Sequence, residues 1–132
     1  MRTFVLVYSH TMMKGFLVFL LFMAGVFPAS ASVLPREVRA VWLTTLSGLD
    51  WPSRPATTAA GFEQQRQELR RTLDSLRAVG INTLLFQTRV RSTVVYPSAI
   101  EPWDGVFTGR AGQAPDYDPL QVAVDECHRR GM

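Results

Sequence analysis

The regular pattern of apolar and polar positions opens with a strand followed by a helix. Residues 38–45 are rich in β-branched and aromatic side chains, which predicts a strand. Residues 46–57 contain a glycine and two prolines and predict a loop. Apolar residues then recur at helical spacing over residues 58–79, and Gly80 is placed to end this helix in the left-handed conformation. The predicted apolar face comprises Phe62, Leu69, Leu73, Leu76 and Val79.

The rest of the chain repeats this order. An apolar run over residues 81–88 predicts a second strand. Residues 89–117 show no sustained periodicity but keep many apolar side chains, so we expect an ordered, functional segment there. Asp118 and Pro119 are typical of a helix N-terminus and predict a helix that ends near Gly131. Its predicted apolar face comprises Leu120, Ala123, Val124 and Cys127.

The order strand, helix, strand, helix predicts an α/β fold with parallel strands. Two β/α units cannot close a barrel, and they leave an unpaired edge on the sheet. We therefore expect residues 32–132 to be the N-terminal part of a larger (β/α)8 barrel, truncated in this sequence. The alternative is a small two-unit domain that a partner completes.

Residues 1–31 have the pattern of a secretory signal peptide. Lys14 precedes an uncharged apolar run at residues 15–27, and an Ala-Ser-Ala sequence ending at Ala31 follows it. The run is shorter than the ~20 residues that a membrane-spanning helix needs. We therefore expect cleavage after Ala31, export to the periplasm or the exterior, and no membrane span in the mature chain. An uncleaved membrane anchor is the alternative.

Charge and motif content argue against several functional classes. The chain of 132 residues has a formal net charge of +3, and without the two cations of residues 1–31 it holds 12 cations and 11 acids. The remaining net charge of +1 argues against a nucleic-acid surface. Because the sequence has neither a glycine-rich phosphate loop nor a cluster of metal-ligating residues, we expect no cofactor and no metal. We expect the single cysteine, Cys127, to be a buried apolar residue.

Polar side chains at the predicted strand ends are the candidate ligand-binding groups. Gln87 and Arg89 follow the apolar run of the second strand, and residues two apart on a strand point the same way. Trp42 and Thr44 have the corresponding parity on the first strand. The carboxyl ends of parallel strands face the ligand site in α/β folds. With two aromatic rings beyond the second strand, the predicted substrate-binding residues are Trp42, Thr44, Gln87, Arg89, Tyr96 and Trp103.

Each candidate also has a structural alternative. Arg89 can form a salt bridge, Trp42 can belong to the core, and the two aromatic rings of the long segment can simply hold it in place. Glu101 and Asp104 lie three apart without an obvious orienting partner, so we expect a solvated loop edge rather than a catalytic pair. Asp50 is expected to have a role in a turn.

Six short motifs occur in order after the predicted signal: RAVWLTT at 39–45, GINTLLFQTR at 80–89, YPS at 96–98, EPW at 101–103, YDPL at 117–120 and HRRGM at 128–132. Together they resemble the start of the glycoside-hydrolase-like family 10 domain of secreted bacterial proteins. The resemblance implies a (β/α)8 TIM barrel that acts on glycosidic bonds, with its catalytic carboxylates after residue 132. Some members act on peptidoglycan glycan strands that lack peptides. Many members have an Asp where Thr93 stands, so no role of that carboxylate carries over to this chain.

The leading hypothesis is therefore the N-terminal part of an exported glycoside hydrolase that acts on a bacterial or environmental polysaccharide. Residues 32–132 are expected to form part of its sugar-binding cleft and no complete active site. One alternative is a non-catalytic carbohydrate-binding or cell-wall scaffolding protein on the same barrel. Another is an inactive gene fragment. By itself, the segment is expected to be inactive and poorly folded.

Overall fold

Two parallel strands lie at the centre of residues 37–132, the part of the chain that the computed structural model describes. β1 spans Ala40–Leu43 and β2 spans Thr83–Phe86, and their first residues pair with one another. Both strands lie inside the predicted ranges and run parallel, which confirms the predicted α/β pattern. The predicted signal peptide and its cleavage site lie outside the described residues.

α1 spans Ala59–Ala78 and connects the two strands. The Thr58 hydroxyl caps its start by accepting a hydrogen bond from the Gly61 N–H at 3.2 Å. Gly80 ends the helix with a φ of +87°. The Ile81 N–H then donates to a carbonyl of the last helical turn at 3.0 Å, which completes the glycine stop. Both predicted ends of this helix are confirmed.

α2 spans Pro119–Arg129 and follows the long segment after β2. The Asp118 carboxylate caps it by accepting hydrogen bonds from two main-chain N–H groups at 3.0 and 3.1 Å, as predicted. The Gln121 side chain does not complete a capping box, because its amide donates to Asp125 at 2.9 Å instead. In the part of the chain described, neither helix combines the length and the apolar character that crossing a membrane requires.

Two predicted core positions are wrong. Val79 is 75% exposed because it follows the last helical residue of α1, where the helical periodicity no longer applies. Val124 of α2 is 38% exposed, whereas Glu126 of the same helix is only 3% exposed. The reason is that α2 turns Glu126 towards α1, where its carboxylate accepts a hydrogen bond from Arg70 at 2.8 Å.

A short hairpin follows β2 within the long segment. β3 spans Arg89–Val90 and β4 spans Thr93–Val94, and the two strands are antiparallel. The turn residues Arg91 and Ser92 have φ values of 49° and 61°, as a two-residue type I′ turn requires. The sequence did not indicate this hairpin, because strands of two residues show no periodicity and the turn lacks the usual Asn or Gly.

The hydrophobic core lies between one face of the sheet and the two helices. Trp51 comes from the predicted loop after β1 but is completely buried in this core, where its indole N–H donates to the Gln65 carbonyl at 2.8 Å. The Phe107 ring meets it edge to face, with 5.0 Å between the ring centroids. The buried cluster comprises Leu43, Trp51, Leu69, Leu73, Val95, Phe107, Ala123 and Cys127.

Candidate functional site

The face of the sheet opposite the core is open. The parallel register places Trp42 of β1 beside Leu85 of β2, and these side chains are 62% and 45% exposed. Thr44 and Gln87 continue the same face beyond the strand ends, because side chains two residues apart point the same way. Leu43, between Trp42 and Thr44, points into the core instead. Within the described residues Trp42 is therefore not a core residue.

Thr44 and Gln87 are joined at the carboxyl ends of the two strands. The Thr44 hydroxyl donates to the Gln87 side-chain carbonyl oxygen and accepts from the Leu46 N–H at 3.0 Å. The main chain adds a second connection, because the Gln87 carbonyl accepts a hydrogen bond from the Thr45 hydroxyl at 3.1 Å. The Thr44 N–H donates to the Asp50 carboxylate at 2.8 Å, in keeping with the turn role expected of Asp50. The Gln87 amide is thereby oriented, and its NH2 group is a donor available to a ligand.

Arg89 forms a bidentate ion pair with Glu101. Its Nε donates to the two carboxylate oxygens at 2.9 and 2.7 Å, and its Nη2 donates to one of them at 2.5 Å. These hydrogen bonds lower the pKa of Glu101 and raise the pKa of Arg89. An ionised Glu101 suits binding or structure better than general-acid catalysis. The prediction that Gln87 and Arg89 share one strand is wrong, since β2 ends at Phe86 and Arg89 begins β3.

The two aromatic candidates lie half-buried on the long segment. Trp103 lies alongside β4 through a bridge to Val94, and its carbonyl accepts a hydrogen bond from the Gly112 N–H at 2.8 Å. Tyr96 directly follows Val95, which is completely buried in the core. The main chain of Trp103 therefore helps to hold the segment in place, and part of each ring remains accessible to a ligand.

A second polar feature lies between the loop after β1 and the hairpin turn. It is a cleft of about 450 Å³ whose lining includes Ser47, Pro52, Arg91, Thr93, Asp104 and Val106. The Asp104 carboxylate accepts a hydrogen bond from the Val106 N–H at 2.8 Å, and the Thr93 hydroxyl lies 2.5 Å from both this carboxylate and the Val90 carbonyl. Asp104 is only 8% exposed, so the prediction of a solvated loop edge is wrong for this residue. The sequence did not indicate this cleft, because the residues that line it come from two separate segments of the chain.

The described residues contain no metal centre: nowhere in 37–132 do three or more His, Cys, Asp and Glu side chains come close enough to hold an ion. His128 lies exposed on α2. Cys127 is buried, as predicted, and burial raises the pKa of its thiol. A buried thiol of raised pKa is a poor nucleophile, so Cys127 has a packing role.

Comparison with known proteins places this geometry in context. The family described as Glycosyl hydrolase-like 10 matches residues 37–132. The chain is 41% identical over 112 residues to Glycosyl hydrolase DigH of Escherichia coli strain K12. The aligned region covers 80% of this chain and 25% of that protein. It is 36% identical over 97 residues to Glycosyl hydrolase YngK of Bacillus subtilis strain 168, covering 74% of this chain and 18% of that protein. The chain thus spans a quarter or less of the length of these relatives.

Proposed function

Because the chain belongs to the glycosyl hydrolase-like 10 family, we propose that residues 32–132 form the first two β/α units of a (β/α)8 glycoside hydrolase. In this proposal they contribute part of the sugar-binding cleft. The observation that carries it is the joined pair Thr44 and Gln87, which lies at the carboxyl ends of parallel strands beside the exposed Trp42. The active sites of such barrels lie at this end of the strands.

The barrel architecture is supported by the unpaired edges and the exposed face of the two-stranded sheet. Within residues 37–132, β1 and β2 pair only with each other, so each has an edge without a neighbour. The exposed face around Trp42 and Leu85 is apolar. Unpaired edges and exposed apolar faces are unfavourable in an isolated domain. Further parallel strands would pair with both edges, and a closed barrel would turn this face inward, with the carboxyl ends of the strands at its mouth.

The chemistry of binding follows from the side chains present. A flat aromatic ring such as that of Trp42 packs against the apolar face of a sugar ring, and the Gln87 amide can donate to a hydroxyl. Glycoside hydrolysis needs a general acid and a second carboxylate, held about 5–10 Å apart. Glu101 is already held ionised by Arg89. We assign the catalytic pair to the part of the barrel after residue 132, as the motif resemblance implies.

The proposed substrate is a bacterial or environmental polysaccharide. Peptidoglycan glycan strands without peptides are the first candidate, because the motif resemblance includes proteins with that activity. Export through a signal peptide at residues 1–31 would bring the enzyme to this substrate. Sequencing the N-terminus of the protein recovered from the periplasm or medium tests the export, and a mature chain that starts at Ser32 is the expected result.

The enzymatic proposal is tested by assaying the protein expressed from its complete reading frame for release of reducing ends. The substrates are peptide-free glycan strands and a panel of other polysaccharides. Gln87→Leu is expected to lower kcat/KM roughly 10-fold, since a hydrogen bond to the substrate is lost. Gln64→Leu, an exposed position on α1, is the matched control and should leave kcat/KM unchanged.

The possible outcomes separate the enzyme from its alternatives. Hydrolysis that depends on Gln87 supports the proposal. Binding of glycans without any release of reducing ends would instead identify a non-catalytic carbohydrate-binding protein on the same barrel. Neither binding nor hydrolysis of any glycan, together with no carboxylate pair in the completed barrel, would refute the proposed function.

A further inference from the structure

The described chain has two buried carboxylates with opposite surroundings. Glu126 is 3% exposed and forms ion pairs with three arginines, at N–O distances of 2.6–2.8 Å. These arginines are Arg70 of α1, Arg129 at the end of α2, and Arg130, which follows α2. Asp104 is nearly as buried, at 8%, but forms no ion pair with any residue of 37–132. Within that range its oxygens are hydrogen-bonded only by the Val106 N–H and by the Thr93 hydroxyl, whose single proton the Val90 carbonyl also competes for. Charge compensation therefore accounts for Glu126 but not for Asp104.

An uncompensated carboxylate in this position costs stability. Aspartates are rarely buried unless a cation pairs with them, because removing the charge from water is unfavourable. The Val106 N–H and the Thr93 hydroxyl hold the Asp104 side chain in one orientation, and each of its oxygens keeps an unused acceptor position. Those positions lie at the wall of the cleft of about 450 Å³. A fixed, unpaired acceptor at a cavity wall is the arrangement expected of a ligand-binding group.

The lining of the cleft also supplies a donor. Arg91 lines it from the β3–β4 turn and makes no ion pair within the part of the chain described. It has a left-handed φ of 49°, and so has Ser47, at 54°, on the loop from the other side. Left-handed backbone is unfavourable for a non-glycine residue. Strained residues of this kind concentrate at functional sites.

We propose that this cleft is a binding subsite for one sugar unit of a glycan. In it, Asp104 accepts a hydrogen bond from a sugar hydroxyl and Arg91 donates to a ring or hydroxyl oxygen. A sugar matches the cleft because its hydroxyls both donate and accept, as a lining that holds a carboxylate and a guanidinium requires. The cleft volume of about 450 Å³ lies within the usual range of ligand pockets. The proposal rests on the proposed glycan-binding function.

This subsite is separate from the sheet face that carries Trp42 and Gln87. Its walls are the loop after β1 and the segment from the hairpin turn to Ala111, and none of the six sequence-predicted binding residues lines it. A glycan that occupies both places spans more than one sugar unit. The subsite therefore predicts a preference for oligosaccharides over single sugars.

The test compares two cleft variants with two matched controls in the protein expressed from its complete reading frame. Asp104→Asn keeps the side-chain shape and removes the charge, and Arg91→Gln removes the guanidinium and its charge at an exposed turn position. The controls are Asp125→Asn and Arg71→Gln, both on exposed helix surfaces. Dissociation constants are measured by calorimetry with chito-oligosaccharides and peptide-free glycan strands of increasing length, and kcat and KM are measured on the same strands.

Each cleft variant is expected to weaken the binding of the longer oligosaccharides roughly 10-fold, since each removes a charge-assisted hydrogen bond. KM should rise while kcat stays the same, because a binding contact remote from the reacting bond is lost. Both controls should bind and react as the wild type does. Thermal unfolding of each variant shows whether it is folded. If Asp104→Asn does not fold, the binding measurements on Arg91→Gln test the subsite.

The outcomes distinguish this inference from the function on which it rests. If the wild type neither binds nor cleaves any glycan, the proposed function fails. If the wild type binds oligosaccharides and both folded cleft variants bind them equally well, the subsite alone is overturned. A fall in kcat at constant KM for Asp104→Asn would also overturn it, because Asp104 would then act on the reaction itself.

Discussion

The Thr44 hydroxyl donates a hydrogen bond to the Gln87 side chain, across 43 residues of sequence. Thr44 directly follows β1 and Gln87 directly follows β2, so this bond closes the carboxyl end of the parallel pair. The same hydroxyl also accepts from the Leu46 N–H and thereby holds the start of the following loop. The orientation of the Gln87 amide thus depends on one threonine hydroxyl.

Replacing Thr44 by Val should lower both stability and glycan affinity. The Gln87 oxygen and the Leu46 N–H each lose a partner, and we expect the free energy of unfolding to fall by about 1–2 kcal/mol. Urea denaturation of the protein expressed from its complete reading frame measures this change. Thr57→Val, at an exposed loop position, is the control and should have little effect. Equal denaturation midpoints for Thr44→Val and the wild type would contradict the prediction.

The ion pair between Arg89 and Glu101 gives a pH dependence of known sign. Hydrogen bonds from Arg89 lower the pKa of Glu101 below its usual range. The stabilisation by this pair is therefore present above the unfolded pKa and is lost as the pH falls through the lower folded pKa.

Carbon NMR of the Glu101 side-chain carboxyl, followed through acidic pH, tests this directly. In the wild type the carboxyl should titrate below its usual range, and in Arg89→Gln its pKa should return upward. Arg110→Gln, an exposed arginine of the same segment, is the control and should leave the titration of Glu101 unchanged. An identical Glu101 titration in wild type and Arg89→Gln would show that the pair does not form in solution.

Glu126 should be the carboxylate whose loss destabilises the described chain most. Burial raises its pKa, but hydrogen bonds from Arg70 and Arg130 and the charge of Arg129 outweigh this, so the pKa is lowered overall. Glu126→Gln leaves the arginines without their shared partner, and we expect a loss of about 2 kcal/mol, less than for a fully buried pair because the arginines are partly exposed.

Chemical denaturation of Glu126→Gln measures that loss against the neighbouring Asp125→Asn. Asp125 is exposed and should contribute no more than about 0.5 kcal/mol. Because the pKa of Glu126 is lowered, the wild-type advantage is present above the unfolded pKa and should disappear as the pH falls through the folded pKa. An advantage that stayed constant into strong acid would contradict the ionic explanation.

Trp51 should be essential for packing and have no direct role in glycan binding. Its side chain is completely buried, packs on Phe86 and Phe107, and donates to the Gln65 carbonyl. Trp51→Phe loses this hydrogen bond and leaves space in the core, and we expect a cost of about 2–3 kcal/mol. Thermal unfolding measures the cost, and glycan affinity of the folded variant should be unchanged. Trp103→Phe, at a half-buried position, should lower the free energy of unfolding by less than Trp51→Phe does.

The ends of the helices were predictable because their determinants are local. A threonine or aspartate cap lies within three residues of the N–H groups that it satisfies, as Thr58 and Asp118 do. Gly80 ends α1 because its left-handed conformation is accessible to glycine at little cost. The strands were predictable for a related reason, since a run of β-branched and aromatic residues favours extended backbone. Their ranges came out too long because pairing, not propensity, decides where a strand ends.

The candidate site was only partly predictable. The parity of Trp42 and Thr44 follows from the two-residue repeat of a strand, and Trp42 lies on the open face as that repeat requires. The sequence indicated a possible salt bridge for Arg89 but did not identify Glu101 as its partner. The segment that brings Glu101 back to Arg89 has no regular pattern that could have shown this contact. Asp104 was assigned to solvent, since nothing in the sequence shows that Thr93 folds over it.

By itself, the sequence determined the order of strands and helices, the capping of both helices and the family of the chain, because each depends on residues near one another or on spaced motifs. Only the tertiary structure decided which polar side chains meet. Glu126 and Arg70 are 56 residues apart, and the Asp104 carboxylate takes its partners from a hairpin and a loop. Such contacts depend on the path of the backbone between them, which no local preference specifies.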